Sequence, residues 1–179
     1  MGQIAVLDWD PGWPAIAATL RAELRSTLPA GAWQQLEHIG STSVPGLAAK
    51  PVIDLMGSVV DLDRFGALAG QHLHALGYLL TDTGMTDRLF YRRAPGRTLM
   101  VHLHVVPGRA WSNQNERILR DFLLAHSDAA RRYGDLKRRL AANINDPLEY
   151  TRAKTALIQE LVDQARAELG LLPVDVWPD

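Results

Sequence analysis

The segment from His38 to Asp54 (HIGSTSVPGLAAKPVID) concentrates residue types that handle anions and protons. Gly40 and Ser41 open a small hydroxyl-rich turn, continued by Thr42 and Ser43, and such a turn offers backbone N–H groups and hydroxyls to a phosphate. Lys50, just ahead of Pro51, is placed to reach an anion held there. Asp54 lies inside the apolar run Pro51-Val52-Ile53-Asp54-Leu55-Met56, so its carboxylate either faces a cleft or is buried and satisfied. His38, before the turn, reads as a structural histidine ahead of a catalytic base. A second concentration falls in Leu99–Val106. There a period of two puts His102 and His104 on one strand face and Val101, Leu103 and Val105 on the other, toward the core. Two imidazoles so spaced either ligate a metal or hydrogen-bond across a sheet. Arg88 and Arg92 share a strand face with Phe90, and each either grips a phosphate or carboxylate or is an ordinary exposed arginine. Tyr150 and Lys154, four apart, share a helix face.

The elements that must position these groups follow from apolar periodicity. Residues 3–9 read as a short strand, ended by the turn Asp10-Pro11-Gly12-Trp13-Pro14. A helix begins at Pro14, with Ile16, Leu20, Leu24 and Leu28 as its buried stripe. Strands are expected at 33–39 and 51–60, a helix at 62–76, and strands at 77–81, 87–94 and 98–106, with Pro95-Gly96 turning the last two into a hairpin. Everything after Ser112 reads as helical, with Ile118, Leu119, Phe122 and Leu123 on one buried face and Leu157, Ile158 and Leu161 on another. The basic residues Arg131, Arg132, Lys137, Arg138 and Arg139 read as the solvated face of a helix, and Trp9, Trp13, Trp33, Trp111 and Trp177 as packing residues. Strands with one helix, then a run of helices, is an α+β pattern.

Composition narrows the function classes. A length of 179 residues predicts one domain, 1–179, with a core that needs no staples. With no cysteine there is no disulfide framework, no Cys-ligated metal and no thiol nucleophile. A net charge of −1 argues against a general nucleic-acid binder. No apolar run approaches the ~18 residues of a membrane span, and no basic, then apolar, leader opens the chain. The expectation is a soluble, cytoplasmic protein with a small-molecule or nucleotide ligand and neither nucleic acid nor membrane as partner. Its oligomeric state is left open.

The Asp10–Pro14 opening, the Glu37–Asp54 segment, His102-Leu103-His104-Val105-Val106 and Glu149-Tyr150-Thr151-Arg152-Ala153-Lys154-Thr155 together resemble the GrpB family, whose members belong to the nucleotidyltransferase superfamily. The resemblance implies a nucleotidyltransferase-like α+β fold: a mixed sheet with flanking helices and a helical C-terminal region. It implies that Gly40-Ser41 holds a nucleotide's phosphates and that Asp54 ligates a divalent metal, next to the strand carrying the histidines. The superfamily's second carboxylate, two residues on, is Met56 here, and a thioether does not replace an oxygen ligand of magnesium. Asp54, His102 and His104 would then form the metal site and catalytic group, with magnesium, manganese or zinc as cofactor. Lys50, Arg88, Arg92, Tyr150 and Lys154 join the turn as substrate- or phosphate-binding residues. The implied function is metal-dependent nucleotidyl or phosphoryl transfer to or from a small molecule. The alternative is a non-catalytic ligand-binding or folding-accessory module related to coenzyme A biosynthesis, since the same domain occurs fused to dephospho-CoA kinase. His102–Pro107 also resembles the end of a histidine-triad hydrolase, but Met100 stands where the first histidine would be.

Overall fold

The computed structural model describes residues 4–94 and 99–176. Five strands, β1 (Gln35–Ile39), β2 (Val52–Val59), β3 (Tyr78–Leu80), β4 (Leu89–Arg93) and β5 (Met100–Pro107), form one sheet in the order β1-β2-β5-β4-β3. The central pair β2 and β5 is parallel, and every other pair is antiparallel. This is the mixed sheet of an α+β fold. The Pro95-Gly96 turn and Trp177 lie outside the described residues.

Alternation divides the sheet between two jobs. Ile53, Leu55 and Val59 on β2, with Val101, Leu103 and Val105 on β5, turn to one face and are buried there. They pack on α1 (Trp13–Thr27) and α2 (Leu62–Ala75) through Trp13, Ala17, Leu24, Phe65, Ala69 and Leu73. Each large apolar side chain so buried contributes about 1.5–3 kcal/mol, enough to fix which face of each strand points inward. The opposite face carries Asp54, His102 and His104 and looks toward the C-terminal helices α3 (Asn115–Ala125), α4 (Ser127–Asn143), α5 (Pro147–Arg152) and α6 (Thr155–Glu168). These helices make their own core from Ile118, Phe122, Leu123, Tyr133, Ile158, Leu161 and Val162, with Val44 and Leu47 from the loop after the turn.

Four expectations are corrected. Residues 4–9 pair at one point only, the Leu7–Ala49 bridge, because the segment crosses the 46–50 loop instead of running along a strand. In α1 the buried residues are Trp13, Ala17 and Leu24, while Ile16 is 40% exposed. A spacing of four drifts about 40° per step around a helix of 3.6 residues per turn, so Ile16 falls off the edge of the stripe, while Leu24 and Leu28 are buried in the core and Leu20 packs against it. Beyond Glu168 the chain leaves the helix at Gly170, whose φ is +68°, and the segment to Val176 is strapped to α6 by Gln159, which donates to Val174 O and accepts from Val176 N. Finally, the exposed arginines of α4 do form a solvated face, but Lys137 leaves it. With Ala129, Tyr133 and Ala141 it completes the buried stripe of α4 at four-residue spacing.

Candidate functional site

Between the histidine-bearing face and α4–α6 lies a cavity of about 800 Å³. Of the residues singled out in the sequence, Gly40, Ser41, Thr42, Lys50, Asp54, Arg88, Arg92, His102, His104, Tyr150 and Lys154 line it. Ser43 turns its hydroxyl back onto the Gly40 carbonyl, 2.5 Å away. Thr42 lines the cavity but spends its hydroxyl locally, donating to Val52 O at 3.1 Å with His38 Nε2 at 2.9 Å. That contact explains His38: burial lowers its pKa to about 4, so it stays neutral and braces the turn.

The turn leaves β1 at Gly40, whose φ of +71° suits glycine. A Cβ there would stand 2.5 Å from Asp54 Oδ2, so the missing side chain is what lets the turn rest on the carboxylate. Register does the rest. Asp54 lies opposite Ile39 on β1 and opposite His102 on β5, and His102 Nδ1 sits 3.1 Å from Asp54 Oδ1. Met56 faces His104 across the same ladder but is fully buried, with Ile39 and Val106 as its apolar neighbours. His104 packs on the Phe90 ring, at 4.7 Å between centroids, and burial holds its pKa below the usual histidine value. Arg88 Nη1 lies 3.4 Å from His104 Nδ1, an arrangement that makes this nitrogen the acceptor of a neutral ring. Arg88 is otherwise held by Asp87, Glu116 and Gln114. Arg92 has no ion pair among the described residues and lies over the Phe90 ring at 5.4 Å.

The other end of the cavity holds a residue that sequence reasoning missed. Lys137 is 3% exposed and donates to Ser41 Oγ at 2.8 Å, with its ammonium over the Tyr133 ring. Lys50 and Lys154 sit over the Tyr150 ring at 4.2 and 4.5 Å. None of the three has a carboxylate within ion-pair distance among the described residues. Burial is the main cause lowering all three pKa values, with mutual repulsion added for Lys137 and Lys154. Lys154 falls to about 8 and Lys137 well below its ordinary value. A signal for Lys137 was present in the sequence. Lys and Arg total 19, yet Lys50, Lys137 and Lys154 are the chain's only lysines, and all three meet in this cavity. A compact ammonium can shed its proton when desolvated, whereas a guanidinium cannot.

Does this donor set suit a divalent cation? Two ligands on one metal at about 2.1 Å stand about 3.0 Å apart when they meet it at a right angle. The 3.1 Å between Asp54 and His102 therefore fits such a pair as well as it fits a hydrogen bond. Among the described residues no three His, Asp or Glu side chains converge, so further ligands would come from phosphate and water, as magnesium usually takes them.

The model of the family described as GrpB protein matches residues 3–164. The chain belongs to the GrpB family. This GrpB chain is 37% identical to a UPF0157 protein of Streptomyces coelicolor, over 92% of its own length and 86% of the relative's. It is 34% identical to a UPF0157 protein of Halalkalibacterium halodurans, over 92% and 83%. The crystal structure of the conserved protein GrpB from Enterococcus faecalis superposes with a TM-score of 0.82 at 27% identity, covering 93% of this chain and 99% of that one. A structure of Cid1, whose RNA terminal uridylyl transferase activity its description names, gives a TM-score of 0.53 at 19% identity, over 79% of this chain and 45% of that one. The fold is therefore nucleotidyltransferase-like. No helix among the described residues is long and apolar enough to cross a membrane.

The lysine end makes a pH prediction. An anion bound there favours the charged amines, so binding takes up a proton wherever Lys154 is neutral in the free protein. Affinity for inorganic triphosphate is expected to be highest near pH 7. It then falls as pH rises through the Lys154 value of about 8, approaching tenfold per pH unit for each proton taken up. Calorimetric titration from neutral to alkaline pH checks this, and an affinity independent of pH would refute it.

Proposed function

We propose that this GrpB chain binds a nucleoside polyphosphate and transfers a nucleotidyl or phosphoryl group to or from a small molecule. The observation that carries the reading is the meeting of three lysines, none with a carboxylate at ion-pair distance among the described residues, with the Gly40–Ser41 turn, beside Asp54. In this reading Ser41, Lys50, Lys137 and Lys154 hold the phosphates. Their charge is strengthened by the water-poor setting in which Lys137 sits. Asp54, oriented by His102, would hold a divalent cation together with phosphate oxygens; the cation supplies charge neutralisation on the transferring group. Arg92, which lines the cavity and has no ion pair among the described residues, is available to orient the acceptor.

The test is thermal stability across magnesium, manganese and zinc, each with and without nucleotides. A ligand at 100 times its Kd adds about 2.7 kcal/mol, a midpoint rise of roughly 5–11 °C for a chain of this size. A rise that needs metal and nucleotide together, and is lost in Asp54→Ala, is expected. No rise with any combination would refute the reading. Met56 favours a second reading, because the residue two places beyond Asp54 is an apolar plug where the superfamily has a metal ligand. A binding module without chemistry, for a coenzyme A-like ligand, would show the thermal rise without metal dependence and without turnover.

A further inference from the structure

Phosphate binding by itself does not use the most distinctive property of the lysine cluster, which is an amine ready to lose its proton. Lys154 stands at the N-terminal end of α6, where the helix dipole disfavours a cation, and beside Lys50, whose charge does the same. Burial outweighs both, and its pKa falls to about 8, so a useful fraction is free base near neutral pH. Access separates it from Lys137, which is 3% exposed and tied to Ser41. Lys154 is half-buried and lines the open cavity. Its ammonium lies over the face of the Tyr150 ring, 4.5 Å from the centroid, and the Tyr150 hydroxyl is buried without a hydrogen-bond partner among the described residues.

We propose that Lys154 is a nucleophilic amine that captures the carbonyl carbon of small anionic aldehydes and ketones, whose anionic group is held by Lys50, Lys137 and Ser41. The lone pair of Nζ adds to the carbonyl carbon, and the C=O electron pair moves to oxygen. A proton passes from nitrogen to that oxygen, and the carbinolamine loses water to leave an imine. Amine and carbonyl compound give imine and water, with no oxidant or reductant required. Desolvation next to another cation is a general route to such a lysine. This inference shares the anion-binding end of the cavity with the nucleotide reading and none of its transfer chemistry.

The probe is pyridoxal 5′-phosphate, trapped with borohydride, which delivers hydride to the imine and fixes it as a secondary amine. Peptide mapping by mass spectrometry is expected to find one adduct, on Lys154, at limiting reagent. Inorganic triphosphate should slow it at least tenfold, and pyridoxal without its phosphate should label far less. Lys154→Arg keeps the charge and should abolish the adduct, and its melting curve establishes that it is folded. An adduct that forms first on Lys50 or on the chain's N-terminal amine, or is indifferent to triphosphate, overturns the proposal, as does no adduct at all. The nucleotide reading is judged separately, by metal-dependent thermal stabilisation of unmodified protein.

Discussion

Lys137→Met is expected to make the ligand-free protein more stable and to remove its affinity for polyphosphate. The side chain is 3% exposed, and its polar contacts are the Ser41 hydroxyl and the Tyr133 ring face; among the described residues no carboxylate lies within ion-pair distance, and the more distant Asp54 offsets only part of the lost hydration of its charge. Methionine has nearly the same length and no charge to desolvate, so the substitution relieves the cost that lowers the Lys137 pKa. A gain of about 1–2 kcal/mol is expected, or roughly 2–8 °C in Tm. Binding moves the other way: losing one member of a buried charge pair costs about 2–5 kcal/mol, hence a Kd for inorganic triphosphate at least about 30-fold weaker. Lys137→Arg makes the complementary case. Its guanidinium is larger and cannot become neutral, so the ligand-free protein should lose stability where the methionine variant gains it. Calorimetric titration and thermal melts on both variants check the pair. A methionine variant that melts lower and binds as before would show that Lys137 is a packing residue.

That single lysine also marks the boundary of what the sequence disclosed. Local pattern was enough wherever one face of an element is apolar and the other is not. The alternation in Met100–Pro107 placed His102 and His104 together and sent Val101, Leu103 and Val105 to the core, and the sheet does so. The family resemblance correctly set that strand beside the one bearing Asp54, a juxtaposition that local periodicity cannot supply. Lys137 was misplaced because a charged residue within a basic run looks solvated by composition. What buries it is tertiary: α4 crosses the turn, and the Ala129–Tyr133–Lys137–Ala141 spacing aims the amine at Ser41. Thr42 and Ser43 illustrate the same limit. Their hydroxyls looked equivalent to that of Ser41, yet the narrow turn consumes both in its own hydrogen bonds and leaves Ser41 facing the cavity. Arg88 read either as an anion clamp or as an ordinary exposed arginine, and local pattern had no means of showing that Glu116 and Gln114, far along the chain, engage it.

Gly40→Ala is expected to lower stability by about 3 kcal/mol and to abolish metal-dependent nucleotide stabilisation, because two separate costs fall on one atom. The first is backbone strain: a φ of +71° costs an L-residue roughly 1–2 kcal/mol. The second is steric and specific to the site. The new Cβ would meet Asp54 Oδ2 at 2.5 Å and Asp54 Cβ at 3.0 Å, so the carboxylate or the turn must move. Neither is free to do so, since Asp54 is in register with both neighbouring strands and bonded to His102, while Thr42 and Ser43 pin the turn. Gly31→Ala separates the two costs. Its φ is +83°, but nothing lies within 4 Å of the added carbon, so only the strain remains, about 1–2 kcal/mol, with ligand binding unchanged. For a chain of this size the Gly40 variant should melt roughly 6–12 °C lower and the Gly31 variant roughly 2–8 °C lower. Equal losses in the two variants, with nucleotide and metal still acting together in Gly40→Ala, would mean that the turn and Asp54 do not work as one unit. A larger loss confined to Gly40, accompanied by loss of the metal response, ties the phosphate-binding turn to the carboxylate through the contact that only a glycine allows.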